Sequence, residues 1–366
     1  MYSIYDYAYN GLLYLNNTVR HRKKLLSQLM IYSTTACQSR CKHCNIWQKP
    51  VEHLPLADIQ RIMESRCVTR RTTVGLEGGE FILHPQANEI MKWFHEHHPN
   101  YTLLSNGLSP RRVAAAVRHY HPRHLYVSLD GHRETYRRMR GCDGYDRVIQ
   151  LVEAAKDEVP LSLMFCLSPW NTFDDMDFVI DVAKHYQVDV RIGIYGTMAY
   201  MMAPSSSRNG QAAGLPALQQ DFGNLLASHE DTLRSTDENY DYIALYDQWR
   251  RGSLQLRCQS IFSCLVVHSN GDVPLCQNLD IKLGNIHRQS LDEIFNGAPS
   301  CQKQCHYSKH CNGCWINFHR KYDIILMRSL ERMLPKRLIE RFYGPYQWTP
   351  SPSSMMLRYH RNPNNT

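Results

Sequence analysis

Residues 29–44 read Leu-Met-Ile-Tyr-Ser-Thr-Thr-Ala-Cys37-Gln-Ser-Arg-Cys41-Lys-His-Cys44, an apolar run that gives way to three cysteines spaced C-x3-C-x2-C. The run LMIYSTT (29–35) has the length and residue types of a buried strand. Outward from it the pattern repeats. Further strands are expected at TTVGLE (72–77), YTLLS (101–105), HLYVSLD (124–130), LSLMFC (161–166) and VRIGIY (190–195). Helix-like stretches near 56–65, 86–97, 109–119, 144–157 and 173–186 separate them. Strands alternating with helices argue for a parallel sheet with right-handed crossovers. Six such units predict an α/β fold, a partial (β/α)6 TIM-like barrel rather than a closed eight-unit one. Residues 204–216, rich in Pro, Ser and Gly, read as a linker, and a polar helix is expected over about 217–235.

Thirteen cysteines stand out in a chain of 366 residues. Ten fall in two groups, at 37–44 and 258–314, and only Cys67, Cys142 and Cys166 stand alone. A secreted disulfide scaffold is a poor fit, because the N-terminus has no export signal and the chain is too long to need staples. Grouped cysteines in a cytoplasmic protein read as metal ligands. No run of 18 apolar residues suggests a spanning helix. A net charge of +8 without a basic block or nucleic-acid motif argues for no nucleic-acid partner. The 258–314 segment has scattered glycines and little periodicity, as expected of a small loop-rich iron–sulfur domain.

Thiolates are the usual ligands of iron–sulfur clusters. Three of them cannot complete a four-iron cube, so one iron stays open to chelate the amino and carboxylate groups of a small molecule. A zinc site is the alternative for the triplet alone. The spacing of Cys37, Cys41 and Cys44 resembles that of the radical S-adenosylmethionine (SAM) superfamily, although His43 stands where an aromatic residue is usual. Leu76-Glu-Gly-Gly-Glu80 resembles the family's GGE motif, Ser105-Asn106-Gly107 and Ser128-Leu129-Asp130-Gly131 its strand ends, and Arg140-Gly141 its RG segment. The resemblance spans about 28–196. It implies a SAM-binding 4Fe–4S cluster on the triplet and reductive cleavage of SAM to a 5′-deoxyadenosyl radical. It also implies a low-potential electron donor such as flavodoxin or ferredoxin. Gly78, Gly79 and Glu80 would approach SAM, with Glu80 taking the amino group. Ser128 would contact its carboxylate or ribose, and Arg140 would pair with its carboxylate or form a surface salt bridge. Asp130, at a strand end, is a candidate base or a structural residue. Cys166, at the barrel edge, is a candidate hydrogen-atom donor or a small buried hydrophobe.

The second group resembles the SPASM domain, the auxiliary-cluster domain of radical SAM peptide maturases and dehydrogenases. The resemblance implies a first auxiliary 4Fe–4S cluster on Cys258, Cys264, Cys276 and Cys314. Cys301, Cys305 and Cys311 would remain for a second. Two departures matter: the C-x3-C-x5-C-x2-C spacing exchanges the family's outer gaps, and no cysteine follows Cys314. His306, His310 or His319 would complete the second site, one iron would stay open, or the site would hold zinc. Segment 322–342 reads as an amphipathic helix kinked at Pro335 with Arg328, Arg332 and Lys336 on one stripe. The favoured reading is a helix packed on the core with a solvated basic face; a membrane-surface or partner helix is the other.

Expected divisions are an N-terminal extension (1–27), the radical SAM core (28–203), a linker and helix (204–250), the auxiliary domain (251–320), and the helix and tail (321–366). The expected reaction is net oxidation of a peptide side chain or a sugar-like alcohol. The alternatives are a redox-neutral radical epimerase and a non-catalytic metal-binding scaffold. Fewer than 30 residues precede the first strand, which favours a small-molecule substrate or a peptide presented by another protein.

Overall fold

The computed structural model describes residues 4–19, 23–196 and 239–345. The linker and polar helix expected over 204–235 and the tail after 345 lie outside the described residues. Helix α1 (Ile4–Val19) precedes six parallel strands: β1 (Gln28–Thr34), β2 (Thr73–Gly78), β3 (Tyr101–Ser105), β4 (His124–Ser128), β5 (Leu161–Leu167) and β6 (Asp189–Ile194). Between them run α2 (Leu56–Met63), α3 (Ala87–His97), α4 (Pro110–Tyr120), α5 (Arg133–Arg140), α6 (Tyr145–Ala155) and α7 (Phe173–Tyr186). The six expected units are all present.

The sheet has a seventh strand, β7 (Cys264–Val267), parallel to β1 with Gln28 opposite Cys264 and Ile31 opposite Val267. The strand order is β6-β5-β4-β3-β2-β1-β7. The cysteine-rich segment therefore builds part of the core sheet and is less loop-like than its sequence suggests. Beyond it come α8 (Asn239–Arg250) before β7, the hairpin β8 (Asp272–Pro274) and β9 (Lys282–Asn285), and then α9 (Leu291–Asn296) and α10 (Ala298–His310). Ser290 and Glu293 form a capping box that starts α9. Helices α11 (Asn317–Met333) and α12 (Lys336–Tyr343) follow, broken at Pro335 as expected.

The two faces of the sheet differ chemically. Leu29, Ile31, Val74, Leu76, Leu103 and Val127 face the helices and belong to the main apolar core. The alternate residues, with period 2, face the barrel interior and include Gly75, Glu77, Thr102, His124 and Arg191. With Met30, Leu104, Tyr126, Met164 and Phe318 these residues border a cavity of about 380 Å³.

The basic stripe is solvated only in part: Lys336, at the start of α12, is exposed. Arg328 is buried, its guanidinium 3.1 Å from Asp241 on α8 and 2.7 Å from Glu331. The arginine instead ties α11 to α8. No helix among the described residues is long and apolar enough to cross a membrane.

Candidate active site

The cysteine triplet begins three residues after β1 ends. Cys41 is buried, and Cys37 and Cys44 are half-buried. Two elements clamp this loop. On one side, the Gly79 amide donates to the Thr34 carbonyl and the Glu80 amide to the Ala36 carbonyl, each at 2.7 Å. A Cβ on Gly78 would strike the Thr34 carbonyl, and one on Gly79 the Ala36 carbonyl. Gly78 also sits at φ +142°, where a side chain is strained. The two glycines thus let β2 press against the cysteine loop. On the other side, the Arg40 and Lys42 amides donate to the carbonyls of Arg140 and Met139, at 3.0 and 2.9 Å.

Arg140 is buried, so the surface salt bridge considered for it is not what the structure contains. Its Nε lies 2.5 Å from Asp130 Oδ2, and its Nη1 points at Cys41 Sγ across 3.7 Å. Asp130 Oδ1 accepts the Cys166 amide at 3.0 Å. Both Asp130 oxygens are engaged and the residue is fully buried. These contacts match the structural alternative considered for Asp130, a support for Arg140 and the β5 edge. Ser128 is buried where β4 ends. The Cys166 thiol lies near Asp130 and is pushed up to about 12 by burial and by that carboxylate.

Glu80 accepts from Ser105 Oγ at 2.8 Å and from the Asn106 amide at 2.7 Å. Burial raises its pKa to about 7 against the lowering effect of those donors and of Arg140. A buried carboxylate so placed calls for a cation. Asn106 also turns its amide toward Cys37 Sγ, 3.7 Å away. Sequence reading noted Asn106 only as a strand end.

Two buried polar atoms without a hydrogen-bond partner among the described residues, His43 Nδ1 and Trp47 Nε1, lie within this segment. Burial drives the Cys37 thiol up to about 12 and the Cys44 thiol up to about 11, whereas metal coordination would deprotonate them. Three free thiols, an arginine and an amide aimed at sulfur, unpartnered polar atoms and an uncompensated carboxylate fit a four-iron cluster with SAM against Glu80. No three His, Cys, Asp or Glu side chains among the described residues converge as a single ion needs. A cube takes one thiolate per iron corner, so its ligands need not converge.

Glu77, which sequence analysis passed over, lines the barrel cavity near the C-terminal end of β2. No hydrogen bond or ion pair to its carboxylate is found among the described residues, and burial alone pushes its pKa up to about 7. Its only sequence signal is its place at the end of a strand, one residue before the glycine pair.

Among the second group, Cys258, Cys276 and Cys305 pack into one apolar cluster with Ile261, Phe262 and Leu275. Cys276 is pushed up to about 12 by burial, then by Cys314 and Cys311. Cys264 lies at the start of β7 with Ser27 Oγ 3.8 Å from its sulfur. Cys301 and Cys305 stand four apart on α10, which puts them on one helix face. That explains the C-x3-C gap. Buried Arg320 braces the loops that carry these cysteines. It donates to the Cys314 and Leu256 carbonyls at 2.8 and 2.7 Å and pairs with Asp323 at 3.1 Å. Asp323 in turn accepts the Gln259 amide at 2.9 Å. His319 uses both ring nitrogens, on Ser260 Oγ at 2.9 Å and on the Gln277 amide at 3.4 Å. Those contacts hold the ring between Ser260 and Gln277. His310 Nδ1 contacts the His306 carbonyl at 2.8 Å.

The family model for the radical SAM superfamily matches residues 31–182, and that for the SPASM iron–sulfur cluster-binding domain matches 258–315. Together they span more than half of the chain. The antilisterial bacteriocin subtilosin biosynthesis protein AlbA of Bacillus subtilis is 23% identical over 323 residues, 79% of this chain and 68% of AlbA. Streptococcus suis SuiB bound to its precursor peptide SuiA shares the fold at a TM-score of 0.60 and 15% identity, over 86% of this chain and 77% of SuiB. Native anSMEcpe with bound AdoMet and Cp18Cys peptide does so at 0.55 and 16%, over 87% and 99%. Cys37, Cys41 and Cys44 lie within the first matched region, and the seven later cysteines within the second. This chain is therefore a member of the radical SAM superfamily with a C-terminal SPASM domain, and its cofactors are 4Fe–4S clusters and S-adenosylmethionine.

Proposed function

We propose that the chain is a radical SAM oxidoreductase that removes two hydrogens from a peptide side chain. When bound, the cofactors supply a 5′-deoxyadenosyl radical that takes a substrate hydrogen atom and an auxiliary cluster that takes up the electron left behind. Cys37, Cys41 and Cys44 would hold the first cluster, with an electron donor such as flavodoxin or ferredoxin reducing it. Glu80 would hold the amino group of SAM. Arg140, anchored by Asp130, would fix the Cys41 side of the loop. The barrel cavity would take the substrate side chain and shield it from water. Glu77, the cavity carboxylate without a partner among the described residues, would accept the proton that must leave with the electron. A sugar-like alcohol would meet the same groups. A peptide is favoured because SuiB binds a precursor peptide and AlbA serves bacteriocin biosynthesis.

One observation carries the oxidative reading. Gln277, the residue after Cys276, reaches into the barrel and donates to Tyr32 Oη at 2.7 Å. Tyr32 is the register partner of Glu77. Cys276 is thus one residue from a side chain that contacts the inner face of β1, which supports a path for the electron from a substrate radical to an auxiliary cluster. A second reading, a redox-neutral epimerase, is supported by Cys166, whose thiol burial keeps protonated at the barrel edge. Turnover of a peptide substrate in deuterium oxide separates them. Oxidation gives a product two hydrogens lighter with no new carbon–deuterium bond. A product of unchanged formula carrying one deuterium, lost in Cys166→Ala, would replace oxidation by epimerisation.

A further inference from the structure

Lys24 lies between α1 and β1, 277 positions before Cys301, and is 1% exposed. Its Nζ lies 3.1 Å from Cys301 Sγ. It also sits 5.0 Å over the Phe295 ring. The backbone of Lys24 is held in register by one side chain: its amide donates to Asn296 Oδ1 at 2.9 Å, and its carbonyl accepts from Asn296 Nδ2 at 3.2 Å. Asn296 closes α9, and its own carbonyl lies 3.5 Å from Cys301 Sγ. The fold therefore fixes the stem of Lys24 and delivers its ammonium to the start of α10, one turn before Cys305.

A neutral thiol is a weak acceptor, whereas anionic sulfur accepts a charge-assisted hydrogen bond. Metal-bound thiolates and cluster sulfides are anionic sulfur. We propose that Lys24 is a positioning residue of the second auxiliary site, donating to Cys301 sulfur and balancing the negative charge of an iron–sulfur cluster held by Cys301, Cys305 and Cys311. Hydrogen bonds to sulfur and nearby charge tune the potential of such clusters, so Lys24 makes this cluster easier to reduce. The inference rests on the proposed auxiliary clusters, but it can be tested without substrate.

The experiment compares full-length wild type, Lys24→Met and Lys24→Arg after anaerobic reconstitution with iron and sulfide. Iron and sulfide content, Mössbauer spectra and an EPR-monitored redox titration are the readouts. The wild type should hold a third cluster beyond the SAM-binding and first auxiliary ones. Lys24→Met, which keeps the length of the stem, should lose that cluster or lower its potential. Lys24→Arg should restore most of the effect, and circular dichroism should show both variants folded. A purely structural lysine would not move one potential selectively. Identical iron content and potentials in wild type and Lys24→Met would overturn the proposal, as would a wild type with only two clusters. Reductive SAM cleavage, followed separately, reports on the superfamily chemistry and not on Lys24.

Discussion

Gln277 and Tyr32 are 245 residues apart and joined by a 2.7 Å hydrogen bond from the glutamine amide to the phenol oxygen. The same amide lies 2.8 Å from Met30 Sδ, so it spans the inner face of β1. Tyr32 stacks on His268 at 5.8 Å, just past β7. The auxiliary segment is thus fastened to the inner wall of the barrel, and its seventh strand to the barrel edge. Gln277→Leu removes a buried hydrogen bond to Tyr32, a cost of about 0.5–1.5 kcal/mol. The expected outcome is a lower melting temperature with the iron content kept. Slower re-oxidation of the auxiliary cluster after each turnover should accompany it.

Arg320 should prove the keystone of the auxiliary site. Its replacement by alanine leaves Asp323 buried without its ion-pair partner and frees the Cys314 and Leu256 carbonyls. Breaking a buried pair from one side costs about 3–5 kcal/mol. Arg320→Ala should lose auxiliary iron and retain the SAM-binding cluster, as read by iron analysis and EPR. Equal loss at both sites would show a general unfolding instead.

Asp130→Asn separates support from base catalysis. It removes the charge that balances Arg140 and should destabilise the fold by about 3–5 kcal/mol. Iron at the cysteine triplet should become labile, measurable by chelator challenge without substrate. Glu77→Gln should leave thermal stability and iron binding near wild type and slow loss of the substrate proton. If Asp130→Asn kept stability and iron while Glu77→Gln lost both, the two roles would be reversed.

His124 tests the electrostatics of the inner face. It contacts Ser162 Oγ at 2.7 Å, and its pKa is pushed down to about 3 by burial and then by Arg191. The unfolded chain therefore binds the proton first, below about pH 6.5. Stability from the neutral ring is complete above that pH and is lost as pH falls toward 3. Glu77, Glu80 and Asp323, raised by burial, act with the opposite sign, so the quantity to read is the difference between wild type and His124→Gln. Between pH 6.5 and 5 that difference should shift against the wild type by up to about 2 kcal/mol, measured by urea unfolding.

The six-strand frame was legible because each strand is a short apolar run followed by a helix-like stretch. The cysteine triplet and Glu80 were legible because their chemistry sits in a few consecutive residues. Strand β7 was not: CLVV is four residues long and lies among cysteines that read as ligands, and only its pairing with β1 makes it a strand. The fates of Asp130 and Arg140 were hidden for a related reason. Ten residues separate them, and burial, which sequence does not display, turns two polar candidates into one ion pair. Glu77 escaped because a polar residue at the inward position of a strand looks the same as one facing solvent. Lys24 escaped because its partner lies 277 positions away.

The most direct measurement is formation of 5′-deoxyadenosine from SAM under dithionite, anaerobically, by the reconstituted wild type and by a variant with Cys37, Cys41 and Cys44 all changed to alanine. The wild type should form 5′-deoxyadenosine. The variant should bind about four fewer irons and form none, with its auxiliary iron retained. Reductive cleavage of SAM by the triple variant would contradict the assignment of the catalytic cluster to these three cysteines.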